Sequence, residues 1–189
     1  MCQFGFDEIK ILIWLQENMR SAFMDIFMKF ITSIGDSGAI WIIFSFIFIF
    51  MKNHRKMGIR VIVSLLFSGL ICNLILKNYI ARIRPYEVYS YIDLIIERQK
   101  DFSFPSGHTS ASFAAAAAIY KSKLMYRKFN LGYLFIALAI LISFSRLYLF
   151  VHYPSDVLGG LITGLISAEL AFLLVERLYK KFKLGKKIS

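Results

Sequence analysis

The sequence predicts an all-α fold: an integral membrane bundle of six transmembrane helices with an N-terminal interfacial helix, forming a single domain over residues 1–189. Three observations predict it. The chain is 58% hydrophobic, where soluble domains run nearer about 45–50% apolar, and its mean hydropathy is +0.61. Long apolar runs recur from end to end. Basic residues gather in three short segments, each placed after every second run.

The elements follow in order. The opening "MCQFGFDEIK" has no basic stretch leading into an apolar one, so no removable signal peptide is expected. Residues 6–19 set Asp7, Glu8, Lys10, Gln16 and Glu17 against Ile9, Leu12, Ile13 and Trp14, which suits a helix lying in the interface. Residues 20–34 form the first span, with Asp25 and Lys29 neutralising each other at i,i+4 spacing. The second (38–51) and third (58–76) spans are continuous apolar runs. The fourth, 106–122, is rich in Ala and Ser, so neighbouring backbones can come close and the helix belongs at the bundle centre. Residues 131–149 and 155–178 complete the set. Cys2 and Cys72 are too few for a disulfide framework, and Cys72 reads as a small buried hydrophobe.

The segments 52–60 and 121–128 carry four Lys/Arg each and the tail from Arg177 carries six, fourteen of the chain's 23. They follow the second, fourth and sixth spans, so they share one side, which is the cytoplasm by the positive-inside rule. Both termini are then cytoplasmic in a plasma-membrane protein. The net charge of +11 is assigned to anionic lipid, with no nucleic acid as partner. Loops at 35–37, 77–105 and 146–154 fall outside.

The chemically unusual residues lie on those outer loops. In "KNYIARIRP", Lys77 and Arg84 are seven apart, so they share a side if the third helix continues until Pro85 ends it. That pattern points to an anion, although basic residues at a helix end also snorkel to lipid phosphates. In "FPSGHTS", Ser106 caps the fourth helix, Gly107 admits a close ligand, and the helix start favours a phosphate-like anion beside His108 as proton donor. A capped helix with a solvated histidine reads equally well there. In "SRLYLFVHYPSD", Arg146 ends the fifth helix and His152 precedes Pro154. Asp156 lies four residues after His152, so its carboxylate can accept the ring N–H and free the other nitrogen as base or nucleophile. Asp156 could equally cap the sixth helix. Taken together, three cations, a helix start and two histidines on one face describe a site for a phosphoryl group.

These three motifs, K-x(6)-R-P, P-S-G-H and S-R-x(5)-H-x(3)-D, resemble the signatures of the type 2 phosphatidic acid phosphatase superfamily, in order and spacing. The resemblance implies a membrane lipid phosphatase that needs no metal or other cofactor. His152 would be the nucleophile, forming a phosphohistidine. Asp156 would orient it, and His108 would protonate the leaving oxygen and then activate water. Lys77, Arg84, Arg146, Ser106 and the Gly107 amide would hold the phosphoryl oxygens. The family's soluble vanadium haloperoxidases are disfavoured by the apolar spans. The implied substrate is a lipid phosphate or diphosphate in the bilayer at the outer face. Small size and orientation favour undecaprenyl diphosphate, with phosphatidylglycerophosphate and phosphatidic acid as alternatives.

Two other classes compete. A phosphate-binding transporter or lipid-binding protein would leave the His152/Asp156 pairing unused, and a lipid phosphotransferase would use the same groups. Glu169 and Asn73 are expected to serve packing or interhelical hydrogen bonds. Tyr86, Tyr89 and Tyr91 are candidates for the lipid entrance.

Overall fold

The computed structural model describes residues 4–188, with side chains placed for residues 8–181. Cys2 and the side chain of Asp7 lie outside the described part. Helix α1 is Phe4–Met19 and α2 is Ala22–Ile34, capped by Ser21, whose hydroxyl accepts from the Met24 amide. A 3₁₀ turn, Asp36–Gly38, leads into α3, Ala39–Phe50. Helix α4, Arg55–Ser68, continues through a π-helical stretch, Gly69–Leu76, into α5, Lys77–Ile80. A short α6, Pro85–Val88, follows. Then come α7 (Gly107–Lys121), a two-residue hairpin β1 (Met125–Tyr126) and β2 (Phe129–Asn130), α8 (Gly132–Tyr148) and α9 (Pro154–Ile188). The predicted helical class is therefore found, with one small hairpin inside the basic 121–128 region and its flank.

By length and apolarity, two helices can cross a membrane, Arg55–Val88 and Pro154–Lys181. The pair Ala22–Ile34 and Asp36–Phe50 passes as a third, bent by 43°. Gly132–Tyr148 is a shorter apolar helix. The six spans expected are not confirmed, and the segments expected as separate spans over 20–34 and 38–51 pass only as this bent pair. The chain does not reverse at 35–37, because Gly35 and Gly38 only redirect it, Gly38 at φ 69. The expected Asp25–Lys29 pair is also absent among the described ion pairs. Asp25 accepts from the Tyr148 hydroxyl at 2.5 Å and lies 3.5 Å from Arg20.

Helix α7 is central, as its small residues predicted. Ala114, Ala115, Ala116 and Ala118 are buried, and the helix packs on α4, α8 and α9. Trp41, Val61, Ile119 and Ile142 fill the core around it. The α7–α9 approach depends on glycine. A Cβ at Gly160 would fall 2.7 Å from Ser106 O, and one at Gly164 would fall 2.6 Å from Ser110 O. This seam fixes α9 against the turn that starts α7.

Helix α1 lies across the end of the bundle where α8 passes to α9. Ile9, Leu12 and Leu15 pack on Tyr148, Leu149, Phe150 and Val151, and Gln16 Nε2 donates to Tyr148 O at 2.6 Å. The buried stripe is thus Ile9, Leu12 and Leu15, while the expected Trp14 faces outward, 55% exposed. Phe150, buried beneath α1, has φ 58, a left-handed conformation that costs a non-glycine residue about 1–2 kcal/mol. Burial of its ring against α1 offsets that cost. At the other end, Lys56 and Arg60 pair with Glu176, and Lys121 pairs with Glu169. The basic 52–60 and 121–128 segments and the far end of α9 therefore share one end, opposite α1. Helix α1 packs on the 149–153 loop, and the sides on which the termini lie, expected to be cytoplasmic for both, are not shown. Glu169 has the interhelical role expected of it.

Replacing Gly164 by Leu forces α9 away from α7 and is expected to destabilise the fold by about 1–3 kcal/mol. A melting temperature in detergent unchanged from wild type would show that the seam is not close-packed.

Candidate active site

One cavity of about 540 Å³ collects most of the sequence-predicted residues: Lys77, Arg84, Gly107, His108, Arg146 and His152 all line it. A second cavity, of about 510 Å³, adjoins it through Arg146 and is lined by Lys29, Thr32 and Asp36.

Each group is delivered by a local feature of the chain. Lys77 follows the π-helical stretch, which changes the azimuth of everything after it. The helix stops at Ala81, in a left-handed conformation at φ 48, and residues 82–84 are non-helical. Pro85 then opens α6 at its first turn. The expected mechanism of convergence is thereby corrected: Pro85 starts a helix rather than ending one, and Arg84 reaches the cavity from an irregular turn. Both cations are buried, and they meet on one acid from the 77–105 loop. Arg84 donates to Asp101 Oδ1 at 2.6 Å and Lys77 Nζ pairs with Asp101 Oδ2.

Arg146, in the last turn of α8, is 1% exposed. One guanidinium nitrogen donates to Thr32 Oγ1, and its Nε has no partner. A buried guanidinium with an unused donor, lining a cavity with two more cations, is configured to receive an anion.

The turn that starts α7 behaves partly as expected. Ser106 caps the helix, but its hydroxyl is spent there, accepting from the Thr109 amide at 3.4 Å and the Thr109 hydroxyl at 3.0 Å. It is fully buried and does not line the cavity, because the cap geometry turns its side chain back into the helix. Gly107 does line it. A Cβ there would lie 3.0 Å from Asn73 Oδ1 and 3.8 Å from Lys77 Nζ, so only glycine leaves that space open. His108 Nε2 lies 2.9 Å from Asp36 Oδ1.

His152 sits in the α8–α9 loop and is 1% exposed. Its Nε2 is 3.3 Å from Arg84 and its Nδ1 is 3.5 Å from Asp156 Oδ2. The second distance is ion-pair reach without hydrogen-bond geometry, and Nδ1 has no hydrogen-bond partner. Asp156 is engaged elsewhere: it accepts from Ser103 Oγ at 2.5 Å, the Tyr153 amide at 2.8 Å and Arg82 at 2.7 Å. Asp156 therefore stands behind His152, outside the cavity. Burial, reinforced by Arg84, Arg146 and Lys77, holds the His152 pKa well below its ordinary 6.5, so the ring is neutral near pH 7 with a lone pair available.

Several site residues were not read from the sequence. Asp101, Asp36, Asn73, Thr32, Ser103 and Arg82 all touch or line the site. Asn73 carried one signal, a polar side chain in an apolar run, but was assigned to packing. Tyr86, proposed for the lipid entrance, is buried. Its hydroxyl accepts from the Gln99 amide and donates to the Gln99 carbonyl, both at 3.0 Å, pinning the loop.

Known proteins resemble this chain over most of its length. A lipid A 4'-phosphatase of Bacteroides thetaiotaomicron is 30% identical over 190 residues, covering 94% of this chain and 81% of its own. Phosphatidylglycerophosphatase B of Bacillus subtilis is 32% identical over 176 residues, covering 87% and 80%. An undecaprenyl-diphosphatase of Sulfolobus acidocaldarius is 28% identical over 149 residues, covering 79% and 68%. A crystal structure of a transmembrane PAP2-type phosphatidylglycerolphosphate phosphatase from Bacillus subtilis superposes with a TM-score of 0.73, at 26% identity over 96% of this chain and 88% of that one. Residues 57–180 match the PAP2 superfamily, and with the relatives above this places the chain in that family of membrane lipid phosphatases.

Proposed function

We propose that this chain hydrolyses a lipid phosphate or diphosphate through a phosphohistidine, without a metal, acting as one membrane-embedded domain. The supporting observation is the shared cavity, with three cations and two histidines around a space that Gly107 keeps open. In the first step His152 Nε2 attacks phosphorus, and the bond from phosphorus to the lipid oxygen breaks. His108 protonates that oxygen, with Asp36 supporting the charged ring. In the second step His108 takes a proton from water, which attacks the phosphohistidine and releases inorganic phosphate. Lys77, Arg84 and Arg146 bear the charge on the phosphoryl oxygens, which is work a metal ion does elsewhere.

The lipid is proposed to enter from the side. The same cavity continues along Ile42, Phe46, Ile62, Leu65 and Leu66, between α3 and α4. Phe46 and Leu66 are exposed on the outer surface of the bundle. An apolar corridor that leads from the hydrocarbon to a cationic end matches a molecule with a tail and a phosphate head. We take the site to face the extracytoplasmic side, a reading that the basic segments at the opposite end support through the positive-inside rule. On that topology α1 also lies at the outer face, and the bent α2–α3 pair makes a single crossing. For the tail we favour undecaprenyl diphosphate, on chain size and orientation. Phosphatidylglycerophosphate is the second reading, supported by the likeness to the Bacillus subtilis phosphatase over nearly the whole chain.

Asp101 is proposed as the group that the substrate displaces. Its carboxylate spans Lys77 and Arg84 as two phosphoryl oxygens would, and it is half exposed at the mouth of the site. Burial raises its pKa, but Lys77 and Arg84 outweigh that and bring it from 3.8 to about 2. The carboxylate is thus ionised near neutral pH, where it competes with phosphate.

Purified protein in excess chelator is expected to release phosphate from a panel of undecaprenyl diphosphate, phosphatidylglycerophosphate and phosphatidic acid. His152→Ala is expected to lose at least about 10³-fold in kcat while keeping its melting temperature; full activity in that variant removes the nucleophile assignment. Asp101→Asn is expected to bind inorganic phosphate several-fold more tightly. The depressed pKa also means that the ion pairs contribute stability above pH about 4 and lose it as pH falls toward 2. The variant's melting temperature should therefore depend less on pH across that window than wild type. Leu66→Trp, narrowing the corridor, is expected to raise KM for a long-chain lipid phosphate and to leave a short water-soluble phosphate ester unaffected. Equal effects on both substrates would remove the lateral route.

A further inference from the structure

We propose that Arg82 and Glu8 are positioning residues for the His152–Asp156 pair, so that α1, which lies outside the family-matched residues 57–180, is part of the catalytic apparatus. The inference rests on the phosphohistidine reading above and extends it to residues that no motif position specifies.

Asp156 is fully buried. A buried carboxylate must be paired or it takes up a proton. Its partner is Arg82, whose guanidinium forks. One nitrogen donates to Asp156 Oδ1 at 2.7 Å and to Ser155 Oγ at 2.6 Å, and the other donates to Glu8 Oε2 at 2.7 Å. The plane of the guanidinium stacks on the Tyr153 ring, 3.9 Å from its centroid. Arg82 thus touches residues 153, 155 and 156, the segment that follows His152. Glu8 adds a second tie, its Oε1 accepting the Ser155 amide at 2.8 Å, in the first turn of α9. A carboxylate at that place also suits the helix dipole.

The charges explain why two acids share one arginine. Arg82 and Asp156 alone would form a neutral pair, and the cation would cancel most of the field that Asp156 exerts on His152. With Glu8 on the outer nitrogens, the three groups carry a net charge of −1. Arg82 then fixes the carboxylate in place, while Glu8 restores its negative field. That field is needed when Nε2 bonds to phosphorus, because the ring then becomes cationic and its Nδ1–H faces Asp156 Oδ2. The 3.5 Å separation in the free enzyme leaves room to tighten at that moment.

The test compares Glu8→Gln, Arg82→Lys, His152→Ala and Gln16→Leu in the full chain. Gln16→Leu breaks the other tie between α1 and the loop, to Tyr148 O, without touching the charged network. Melting temperatures establish which variants fold. The expected result is a loss of about 10–100-fold in kcat for Glu8→Gln and Arg82→Lys, with KM and inhibition by inorganic phosphate within twofold of wild type, because Lys77, Arg84 and Arg146 are unchanged. Rapid quench should find less phosphohistidine in both, while Gln16→Leu keeps wild-type kcat. If Arg82→Lys fails to fold, Glu8→Gln carries the test alone. Wild-type kcat in a folded Glu8→Gln, with His152→Ala inactive, overturns the positioning role and leaves the phosphatase reading standing. A parallel loss in Gln16→Leu reduces α1 to a scaffold and also overturns it. A wild-type chain that releases no phosphate from the lipid panel overturns both readings.

Discussion

Three cations converge on one cavity at the end of an apolar bundle, and the surrounding structure is organised around that concentration of like charge. Two unit charges about 4 Å apart repel by about 4 kcal/mol at an effective dielectric constant near 20, and burial adds a desolvation cost for each. Lys77, Arg84 and Arg146 are all buried. Asp101 relieves two of them, while Arg146 donates to Thr32 and its Nε has no hydrogen-bond partner among the described residues. The site therefore stores an unmet demand for negative charge, and the molecule best able to meet it carries several anionic oxygens at once.

The acids around the cavity divide the remaining work. Asp36 faces His108, Asp101 faces Lys77 and Arg84, Asp156 faces His152, and Glu8 faces Arg82. They come from four separate places: the α2–α3 turn, the long loop, the start of α9, and α1. Only the Asp156–His152 connection is local, at i,i+4 spacing, and it alone of the four was legible in the sequence. Lys77, Arg84, Gly107, His108, Arg146 and His152 were readable because each belongs to a short motif whose spacing carries the chemistry. The central position of α7 was readable from its alanines. Arg82 was not, although it sits between Lys77 and Arg84, because its partners Glu8 and Asp156 are each 74 residues away. Asp101 was one acid among four in a loop of balanced charge.

The backbone was misread where a local irregularity replaced the regular element that hydropathy assumes. The 43° bend at 35–38 left the apolar runs on either side intact, so they read as two spans. The π-helical stretch at Gly69–Leu76 has the composition of an ordinary helix. Ser106 was read correctly as a cap, and its hydroxyl, expected to hold a phosphoryl oxygen, accepts from Thr109 and does not line the cavity. An amphipathic helix carries no record of which end of a bundle it covers, and the contacts of α1 with Leu149, Phe150 and Val151 supply that.

The cavity also separates two kinds of selectivity. On the function proposed above, its polar end would read a phosphoryl group through charges that any phosphate ester satisfies, and so would not rank lipids. Its apolar end, along α3 and α4, is then where substrates that share a headgroup chemistry would differ. Those helices pack closely through Gly58, where a Cβ would lie 2.5 Å from Ser45 O, at the end away from the site. A change of tail preference needs only the side chains lining that corridor to change. The motif residues, held by seams and ion pairs on the other side of the cavity, can stay as they are. Relatives named for three different lipids, each near 30% identity to this chain, are what such a division of labour allows.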